Sequence, residues 1–354
     1  MNVSTKTRII FSSTRGWNPG DEFILMGIRN LLRLADVDYM EILYNRHPAI
    51  RTVFPLTDKV LKGASFIFAQ NPDMQMKQYG AGKTIPHFDN SFFPIKHRIA
   101  DYVIFAGTPE WAGKRNRQLY RYALENEIPG ALLGIGLANS IAESERQYIS
   151  KYAELITTRD DEAYQQLKDF GAIRSVCPAL FCAQYTNPIS DINRIGIVFQ
   201  GTRIWANSIP QTMLATLVPI YRELIHNGAM LICHHFADMT EAIDIFGEDA
   251  PILYSSNPEQ LLQLYSHFDL IIGTRLHGIG AAASYGIPGI LIPHDNRTKG
   301  SDSFCEVIAP PEKVLNTIEK MDWINKSKKI VNHRKHWQSK MLNLIGNTSI
   351  IRTK

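Results

Sequence analysis

The sequence predicts an α/β protein made of two doubly wound, Rossmann-like domains and a C-terminal helical tail. A chain of 354 residues is too long for one small hydrophobic core, and at about 150 residues per domain it corresponds to two domains. Short apolar runs bounded by Gly, Pro or Asp alternate with longer segments of helical period, which indicates repeated βα units and a parallel sheet. The alternation breaks at the polar, turn-rich segment 186–193 and then restarts, which predicts a linker.

The first domain is predicted to cover residues 1–188. Its apolar runs predict strands over 7–12, 38–43, 64–68, 101–106, 130–135 and 154–157. The clearest helix covers 21–34, because its apolar residues fall largely on one side. Asp21 and Glu22 occupy its first turn, near the positive end of the helix dipole.

The second domain is predicted to cover residues 189–324 and repeats the pattern. Strands are predicted over 195–200, 229–233, 252–254, 269–273 and 289–292, and helices over 208–227, 239–246, 258–267, 278–285 and 311–321. Doubly wound sheets bind ligands beyond the carboxyl ends of their strands. Two facing domains therefore predict one shared cleft that holds the active site.

The tail, residues 325–354, carries eight of the 38 Lys and Arg residues and no acidic residue. The rest of the chain has 30 basic residues against 34 acidic ones, a net charge of −4, which argues against nucleic acid as a partner. Ile330, Trp337 and Met341 form an apolar stripe under the charges, so we expect a closing helix docked on the protein. The alternative is attraction to an anionic membrane surface or to a lipid-linked acceptor.

Cysteine usage and the N-terminal sequence predict a cytoplasmic protein, at the inner face of the membrane if the tail binds lipid. The four cysteines form no CxxC pair and lie in apolar stretches, which argues against a disulfide framework and against a zinc site. The first residues lack the apolar core and cleavage site of a secretory signal, and no segment is suited to crossing a membrane.

The strongest motif is Asp269-Leu-Ile-Ile-Gly-Thr-Arg-Leu-His-Gly278. A buried strand is predicted to end at Gly273, and Arg275 and His277 follow two residues apart, so in extended backbone their side chains point the same way. The next helix adds an N-terminus with unpaired N–H groups and a partial positive charge. A lone histidine is more often structural, but this combination predicts an anion pocket.

Two further cations follow other strands. Lys299 lies beyond the strand 289–292, and neighbouring carboxyl ends meet at one edge of a sheet, so Lys299 can reach the same pocket. Arg159 follows the strand 154–157. Asp160 or Asp161 is expected to cap the next helix there, which leaves Arg159 to point into the cleft.

Polar residues of the first domain are candidates for binding an acceptor. Asn18 is a good helix cap, and the carboxylates of Asp21 and Glu22 can accept hydrogen bonds from substrate hydroxyls, although capping alone also explains them. Glu110 and Trp111 follow the strand 101–106. A carboxylate beside an aromatic face suits a sugar ring, and a Trp buried in the core is the alternative.

Three blocks of this sequence resemble the polysaccharide pyruvyl transferase family. They are Asn18-Pro-Gly-Asp-Glu22, Thr158-Arg-Asp160, and Gly273-Thr-Arg-Leu-His-Gly278 with Lys299 downstream. The resemblance implies a GT-B-like fold and transfer of the enolpyruvyl group of phosphoenolpyruvate to sugar hydroxyls, with formation of a pyruvate ketal and release of phosphate. It implies no metal and no cofactor. The segment Ala106-Gly-Thr-Pro-Glu-Trp111 departs from the Gly-rich turn of many members, so the acceptor is the least transferable inference.

The resemblance also implies roles for single residues. His277 would be the general acid, Arg159, Arg275 and Lys299 would bind the donor, and Asp21 and Glu22 would belong to the acceptor side. The chemistry of the residues agrees, because a donor with a carboxylate and a phosphate needs several cations. An imidazolium near neutral pH is also a suitable proton source for the methylene carbon.

Two other functions are compatible with the sequence. A GT-B glycosyltransferase or epimerase that uses a nucleotide sugar would share the fold and a cationic diphosphate site. A non-catalytic anion-binding or sugar-binding protein on the same scaffold would bind without turnover. Release of inorganic phosphate from phosphoenolpyruvate, dependent on an acceptor glycan, distinguishes the three.

Overall fold

The protein is described from a computed structural model. It covers residues 6–14, 18–45, 97–107, 114–136, 141–203, 208–294 and 303–352. The predicted strand 64–68 lies outside these residues.

The first half of the chain builds a six-stranded parallel sheet of order β2-β1-β3-β4-β5-β6. Its strands are β1 (Thr7–Ser13), β2 (Tyr39–Asn45), β3 (Tyr102–Ala106), β4 (Gly130–Ile135), β5 (Ala153–Thr158) and β6 (Ile173–Arg174). Within the described residues its helices are α1 (Pro19–Leu34), α2 (Lys114–Glu125), α3 (Glu143–Tyr152) and α4 (Asp161–Leu167). The central strands are apolar on both faces because helices cover both sides of a parallel sheet.

The second half builds another six-stranded parallel sheet, of order β12-β11-β10-β7-β8-β9. Its strands are β7 (Ile195–Phe199), β8 (Met230–Cys233), β9 (Ile252–Tyr254), β10 (Leu270–Gly273), β11 (Gly289–Leu291) and β12 (Val307–Ile308). Its helices are α5 (Gln211–His226), α6 (Phe236–Phe246), α7 (Pro258–Tyr265), α8 (Leu276–Tyr285) and α9 (Val314–Lys320). The two sheets confirm the predicted fold class. The predicted domain boundary at 188/189 stays a prediction.

Each sheet has a point where the strand order reverses, and these points position the site. In the first sheet β1 lies between β2 and β3, and in the second sheet β7 lies between β8 and β10. Ligands of doubly wound sheets bind in the crevice outside such a point, at the carboxyl ends of the strands. Helix α1 begins beyond β1, and helix α8 begins beyond β10. Both helices therefore point their N-termini at a crevice.

The two halves share a continuous apolar core. It runs from Phe11 and Phe23 in the first half to Val198 and Ile279 in the second. The ring of Phe23 lies edge-on to Tyr265, with ring centroids 6.3 Å apart. Burial of apolar surface thus holds the halves together beside the crevice.

The tail is helical, as predicted, and joins the two halves. Helix α10 (Trp323–Gly346) begins on the second half, where the Ser327 hydroxyl donates to the carbonyl of Gly286 at 2.6 Å. Helix α11 (Ser349–Arg352) ends on the first half, where the Ser349 backbone N–H donates to the Glu154 carboxylate at 2.8 Å. None of the helices in the described ranges has the length and apolarity needed to cross a bilayer.

The structure differs from the sequence-based elements at short segments. Strands β6 and β12 have two residues each and were not predicted, since so short a run shows no periodicity. A 3₁₀ helix at Pro178–Phe181 is packed under α1 and was also missed. Helix α8 begins at Leu276, two residues before the predicted start. The earlier start of α8 changes the site, because it places His277 inside the helix.

Candidate active site

The site begins where the N-termini of α1 and α8 meet. Asn18 caps α1 as predicted, since its side-chain oxygen accepts a hydrogen bond from the Gly20 N–H at 3.0 Å. His277 is the second residue of α8 and lies against Gly20, where a Cβ atom would be 2.2 Å from the imidazole Nδ1 and 2.8 Å from its Cγ. Only glycine leaves room for the ring. Two positive helix ends thus converge on one imidazole, in a place that attracts an anion.

Arg159 brings a guanidinium from the first half to the same imidazole. It follows β5, and its Nη1 lies 3.3 Å from the Nε2 atom of His277. Its side chain runs over Gly136, where a Cβ atom would be 2.7 Å from the guanidinium Nε. Arg159 is 9% exposed, and within the described residues no carboxylate lies at ion-pair distance from it. The charge of this buried cation is therefore available to an anion.

Cys177 completes the contact and was not among the sequence-predicted site residues. Its Sγ lies 3.7 Å from Nη1 of Arg159 and 3.8 Å from Nε2 of His277. Burial raises the pKa of the thiol, and the nearby Arg159 charge only partly opposes this effect. The thiol is therefore protonated at neutral pH. In the sequence a lone cysteine beside a proline carried no signal for this position.

The predicted acceptor residues Asp21 and Glu22 lie in the buried first turn of α1. They are 5% and 4% exposed. The Asp21 carboxylate is close enough to Cys177 to raise the pKa of its thiol further. Asp21 is thereby placed beside the cluster of Arg159, Cys177 and His277, whereas Glu22 acts on Arg29 farther along α1.

Arg275 and His277 do not both lie in extended backbone, so the premise on which their side chains were predicted to point the same way was wrong. Because α8 begins at Leu276, Arg275 is the last extended residue and His277 already belongs to the helix. The Nη2 atom of Arg275 instead donates to the Asp238 carboxylate at 2.7 Å, in a pair whose side chains are 6% and 0% exposed. Desolvation raises the pKa of Asp238, and the Arg275 charge opposes this shift. The Nε atom of Arg275 is buried and has no hydrogen-bond partner among the described residues.

Carboxylates of α6 also hold the loop that follows β7. The Asp238 carboxylate accepts from the Gly201 N–H at 2.9 Å, and the Glu241 carboxylate accepts from the Thr202 N–H at 2.8 Å. Both acids are buried on one side of the helix, three residues apart. The spacing of Asp238 and Glu241, which puts both on one side of a helix, was the signal that sequence reasoning could have used.

Two histidines follow β8 and lie behind the cluster. His234 Nε2 is 2.5 Å from the Tyr265 hydroxyl, and its ring lies edge-on to Phe23. Burial and the Arg275 charge lower the pKa of His234 and of the adjacent His235 well below the ordinary value. Both rings are neutral at pH 7, so they add no positive charge to the crevice.

Three predicted site residues cannot be placed, and one cavity lies away from the cluster. Lys299, Glu110 and Trp111 fall outside the described residues. A groove of about 1210 Å³ extends from Met26 to Arg33 along the far end of α1. Its nearest residue on α1, Met26, is about 9 Å along the helix from Gly20 at 1.5 Å per residue, and Arg159, Cys177 and His277 are not part of its lining. In the described part of the chain no group of three or more His, Cys, Asp or Glu side chains is arranged to hold a metal.

Solved structures with a similar architecture confirm a GT-B-like fold. The UDP-GlcNAc 2-epimerase from Neisseria meningitidis bound to UDP-GlcNAc has a TM-score of 0.52 at 9% identity, over 97% of this chain and 100% of that chain. The glycosyltransferase SnogD from Streptomyces nogalater has a TM-score of 0.51 at 12% identity, over 97% and 100%. The UDP-GlcNAc 2-epimerase from Methanocaldococcus jannaschii has a TM-score of 0.50 at 13% identity, over 94% and 100%. At these identities the similarity concerns the fold alone.

The family is shown by sequence. A comparison with curated proteins found no match. A family model described as polysaccharide pyruvyl transferase matches residues 18–296, which is most of the chain and includes every residue of the cluster from Asn18 to His277. The match confirms the resemblance drawn from the sequence motifs. The chain belongs to the polysaccharide pyruvyl transferase family.

Proposed function

We propose that the protein transfers the pyruvyl group of phosphoenolpyruvate to two hydroxyls of a sugar in a cell-surface polysaccharide or its lipid-linked precursor. The observation that carries this proposal is the contact between Arg159 and His277, 3.3 Å apart, at the meeting point of two helix N-termini. A guanidinium from one half and an imidazole from the other can hold an anion and protonate it in one place.

Anion binding is supported by the Arg159 guanidinium, which has no carboxylate at ion-pair distance among the described residues. A phosphate or carboxylate at about 4 Å from the Arg159 guanidinium gains on the order of 4 kcal/mol at an effective dielectric of about 20, before desolvation. The helix N-termini add partial charge, and Nε of Arg275, which is buried and has no hydrogen-bond partner in the described part of the chain, is a second donor. Lys299 is the expected third cation. Arg275 is therefore assigned to shaping and lining the donor site, with most of its charge balanced by Asp238.

The reaction needs a proton donor and two hydroxyl nucleophiles. His277 as imidazolium gives a proton to the methylene carbon of the enolpyruvyl group, which leaves an oxocarbenium-like centre at the adjacent carbon. One sugar hydroxyl attacks that carbon, and its proton returns to His277. The second hydroxyl then displaces phosphate from the same carbon, and its proton leaves with the phosphate. The products are the pyruvate ketal and inorganic phosphate.

The acceptor is expected on the α1 side of the cluster. Asp21 is a carboxylate beside the cluster, and carboxylates accept hydrogen bonds from sugar hydroxyls. Asn18 and Glu22 lie in the same turn of the chain, and Glu110 with Trp111 would extend this surface. Neither a metal nor a cofactor enters this scheme.

A nucleotide-sugar reaction is the weaker alternative. In a doubly wound sheet the backbone N–H groups of the loop beyond the switch-point strand are natural ligands for a diphosphate. Here the N–H groups of Thr202 and Arg203 already donate to the Glu241 carboxylate, at 2.8 and 3.1 Å. These two N–H groups are therefore already engaged by an internal carboxylate.

The test is incubation with phosphoenolpyruvate and lipid-linked or free acceptor glycans. We expect phosphate release that depends on the acceptor, and a product heavier than the acceptor by one pyruvate less one water. Release of UDP from a nucleotide sugar would favour the alternative, and binding of phosphoenolpyruvate without phosphate release would show a non-catalytic protein.

His277→Gln is the variant that addresses the mechanism. Without the acid, turnover should fall by about 10² or more while the Kd for phosphoenolpyruvate changes little, because the anion-binding groups remain. His226→Gln, at the exposed end of α5, is the matched control and should keep full activity. A fully active His277→Gln variant would place the general acid elsewhere.

A further inference from the structure

We propose that Cys177 is a positioning residue for the proposed reaction, with a thiol that keeps the Arg159 guanidinium and the His277 imidazole in contact across the two halves. The inference rests on the proposed function, and it adds a residue that the sequence motifs did not include. The three contact distances are 3.3 Å for Nη1 to Nε2, 3.7 Å for Nη1 to Sγ and 3.8 Å for Sγ to Nε2.

The three side chains reach this triangle from three separate segments. Arg159 follows β5, Cys177 precedes the 3₁₀ helix Pro178–Phe181, and His277 lies in the first turn of α8. Cys177 is held firmly, since it is 1% exposed and its backbone N–H donates to the Ser303 hydroxyl at 3.1 Å. A fixed atom that touches both partners restricts where each of them can move.

The hydrogen-bonding capacity of the three side chains limits the contacts that they can make. A guanidinium has no acceptor, so a hydrogen bond between Arg159 and His277 requires Nε2 to be the unprotonated nitrogen. The ring proton then lies on Nδ1, on the side of Gly20. The protonated thiol can accept from Arg159 through sulfur, and its S–H is a second donor beside Nε2, whose lone pair takes one donor at a time. The thiol contacts both partners without adding charge.

The absence of charge on the thiol matters for the donor. A thiol leaves the Arg159 charge available, whereas a carboxylate at position 177 would neutralise it before phosphoenolpyruvate binds.

Other titratable groups also face His277. Asp21 in α1 acts on the Cys177 thiol, and His277 lowers the pKa of His234, which lies behind it in the second half. Both groups stay in place in every Cys177 variant, so differences among the variants report on position 177.

The experiment compares Cys177→Ala, Cys177→Ser and Cys177→Asp by three measurements. They are the His277 pKa from the imidazole NMR signal, with His277→Gln for assignment, the Kd for phosphoenolpyruvate from calorimetry, and kcat for phosphate release. Cys182→Ala and Cys182→Ser are matched controls. Cys182 lies in the same segment, is 3% exposed, and has its Sγ directed to the Ser284 hydroxyl.

We expect Cys177→Ala to lower kcat at least tenfold and Cys177→Ser to restore most of it, because the hydroxyl keeps a neutral polar contact. Cys177→Asp should raise the His277 pKa by at least one unit and weaken phosphoenolpyruvate binding at least tenfold. The Cys182 variants should change none of these values, although they can lower the thermal midpoint as the Cys177 variants do.

Two results would overturn the proposal. One is a folded Cys177→Ala variant with unchanged kcat and unchanged Kd. The other is a Cys177→Asp variant whose His277 pKa equals that of the unsubstituted protein. The NMR measurement requires no turnover, so it tests the contact between position 177 and His277 even if phosphoenolpyruvate is not the donor.

Discussion

Gly20 carries only a hydrogen atom where other residues have a Cβ atom, and this leaves room for the imidazole of His277, the proposed general acid. Gly20 is the second residue of α1, where an alanine would favour the helix by about 1 kcal/mol. The added Cβ would overlap the imidazole, at 2.2 Å from Nδ1. Helix stability and the position of His277 therefore make opposite demands on this residue.

Gly20→Ala should accordingly displace the ring. We expect kcat for phosphate release to fall at least tenfold and the thermal midpoint to fall as well, because the added Cβ would also lie 2.9 Å from Cβ of His277, which moves only with α8. Gly346→Ala is the control, since Gly346 is also helical and has open space around it. Unchanged activity of Gly20→Ala would mean that the ring position seen here is unimportant for the reaction.

At the scale of secondary-structure elements, helix α6 has two roles. It forms part of the apolar core, and it supplies the carboxylate that pairs with Arg275. Asp238 and Asp244 lie on the same helix, and each pairs with an arginine. Asp238 is 0% exposed in its pair, whereas the Asp244 side chain is 54% exposed. The pair in the interior has a far larger desolvation to compensate.

Asp238→Asn should lower the free energy of unfolding by about 3–5 kcal/mol, because it leaves the Arg275 charge buried without a counter-ion. Asp244→Asn should change it by less than about 1 kcal/mol. Urea unfolding of both variants measures the difference. Equal losses would show that Arg275 finds another counter-charge when Asp238 is removed.

The buried histidines His234 and His235, between β8 and α6, predict that the protein loses stability in mild acid. Burial lowers the pKa values of His234 and His235 in the folded state, so below about pH 6.5 the unfolded chain binds protons that the folded chain does not. Stability is therefore complete above that pH. It falls toward pH 5, by up to about 1.4 kcal/mol per pH unit for each histidine.

His235→Gln tests this linkage by urea unfolding at pH 7.5, 6.5 and 5.5. The variant removes one of the two histidines, and Nε2 of His235 has no hydrogen-bond partner among the described residues. Between pH 6.5 and 5.5 it should lose about 1 kcal/mol less than the unsubstituted protein. Parallel pH dependences would show that His235 is protonated in the folded state.

At the scale of the whole molecule, helix α10 ties the two halves together. Arg334 lies in its middle, is 7% exposed, and donates from Nη2 to the Ala183 carbonyl at 2.6 Å. Burial lowers the pKa of this guanidinium, which still makes a charge-assisted hydrogen bond. The next residue, Lys335, is exposed.

These neighbours give a matched pair of variants. Arg334→Ala should lower the free energy of unfolding by about 2–3 kcal/mol, since it leaves a cavity and an unpaired buried carbonyl. Lys335→Ala should stay within about 0.5 kcal/mol. If the two variants unfold at the same urea concentration, the docking of α10 contributes little to stability.

Most elements of the fold could be predicted from sequence because their causes are local. Strand β4 and strand β9 have the predicted bounds, and α1 begins within two residues of its predicted start. Apolar periodicity, a capping Asn18 and acids in the first turn are properties of neighbouring residues. The family followed from motifs of the same kind, and it was confirmed. Short edge strands were missed because two residues show no period.

The make-up of the site was decided by the tertiary structure. Arg159 and His277 are 118 positions apart, and they touch only because two sheets direct their carboxyl ends at one crevice. Helix α8 begins earlier than predicted, and Arg275 pairs with Asp238. Cys177 belongs to the cluster although its segment contains no recognisable motif. Sequence periodicity reports which way a side chain points within its own element. The order of the strands and the packing between the halves determine what it meets there.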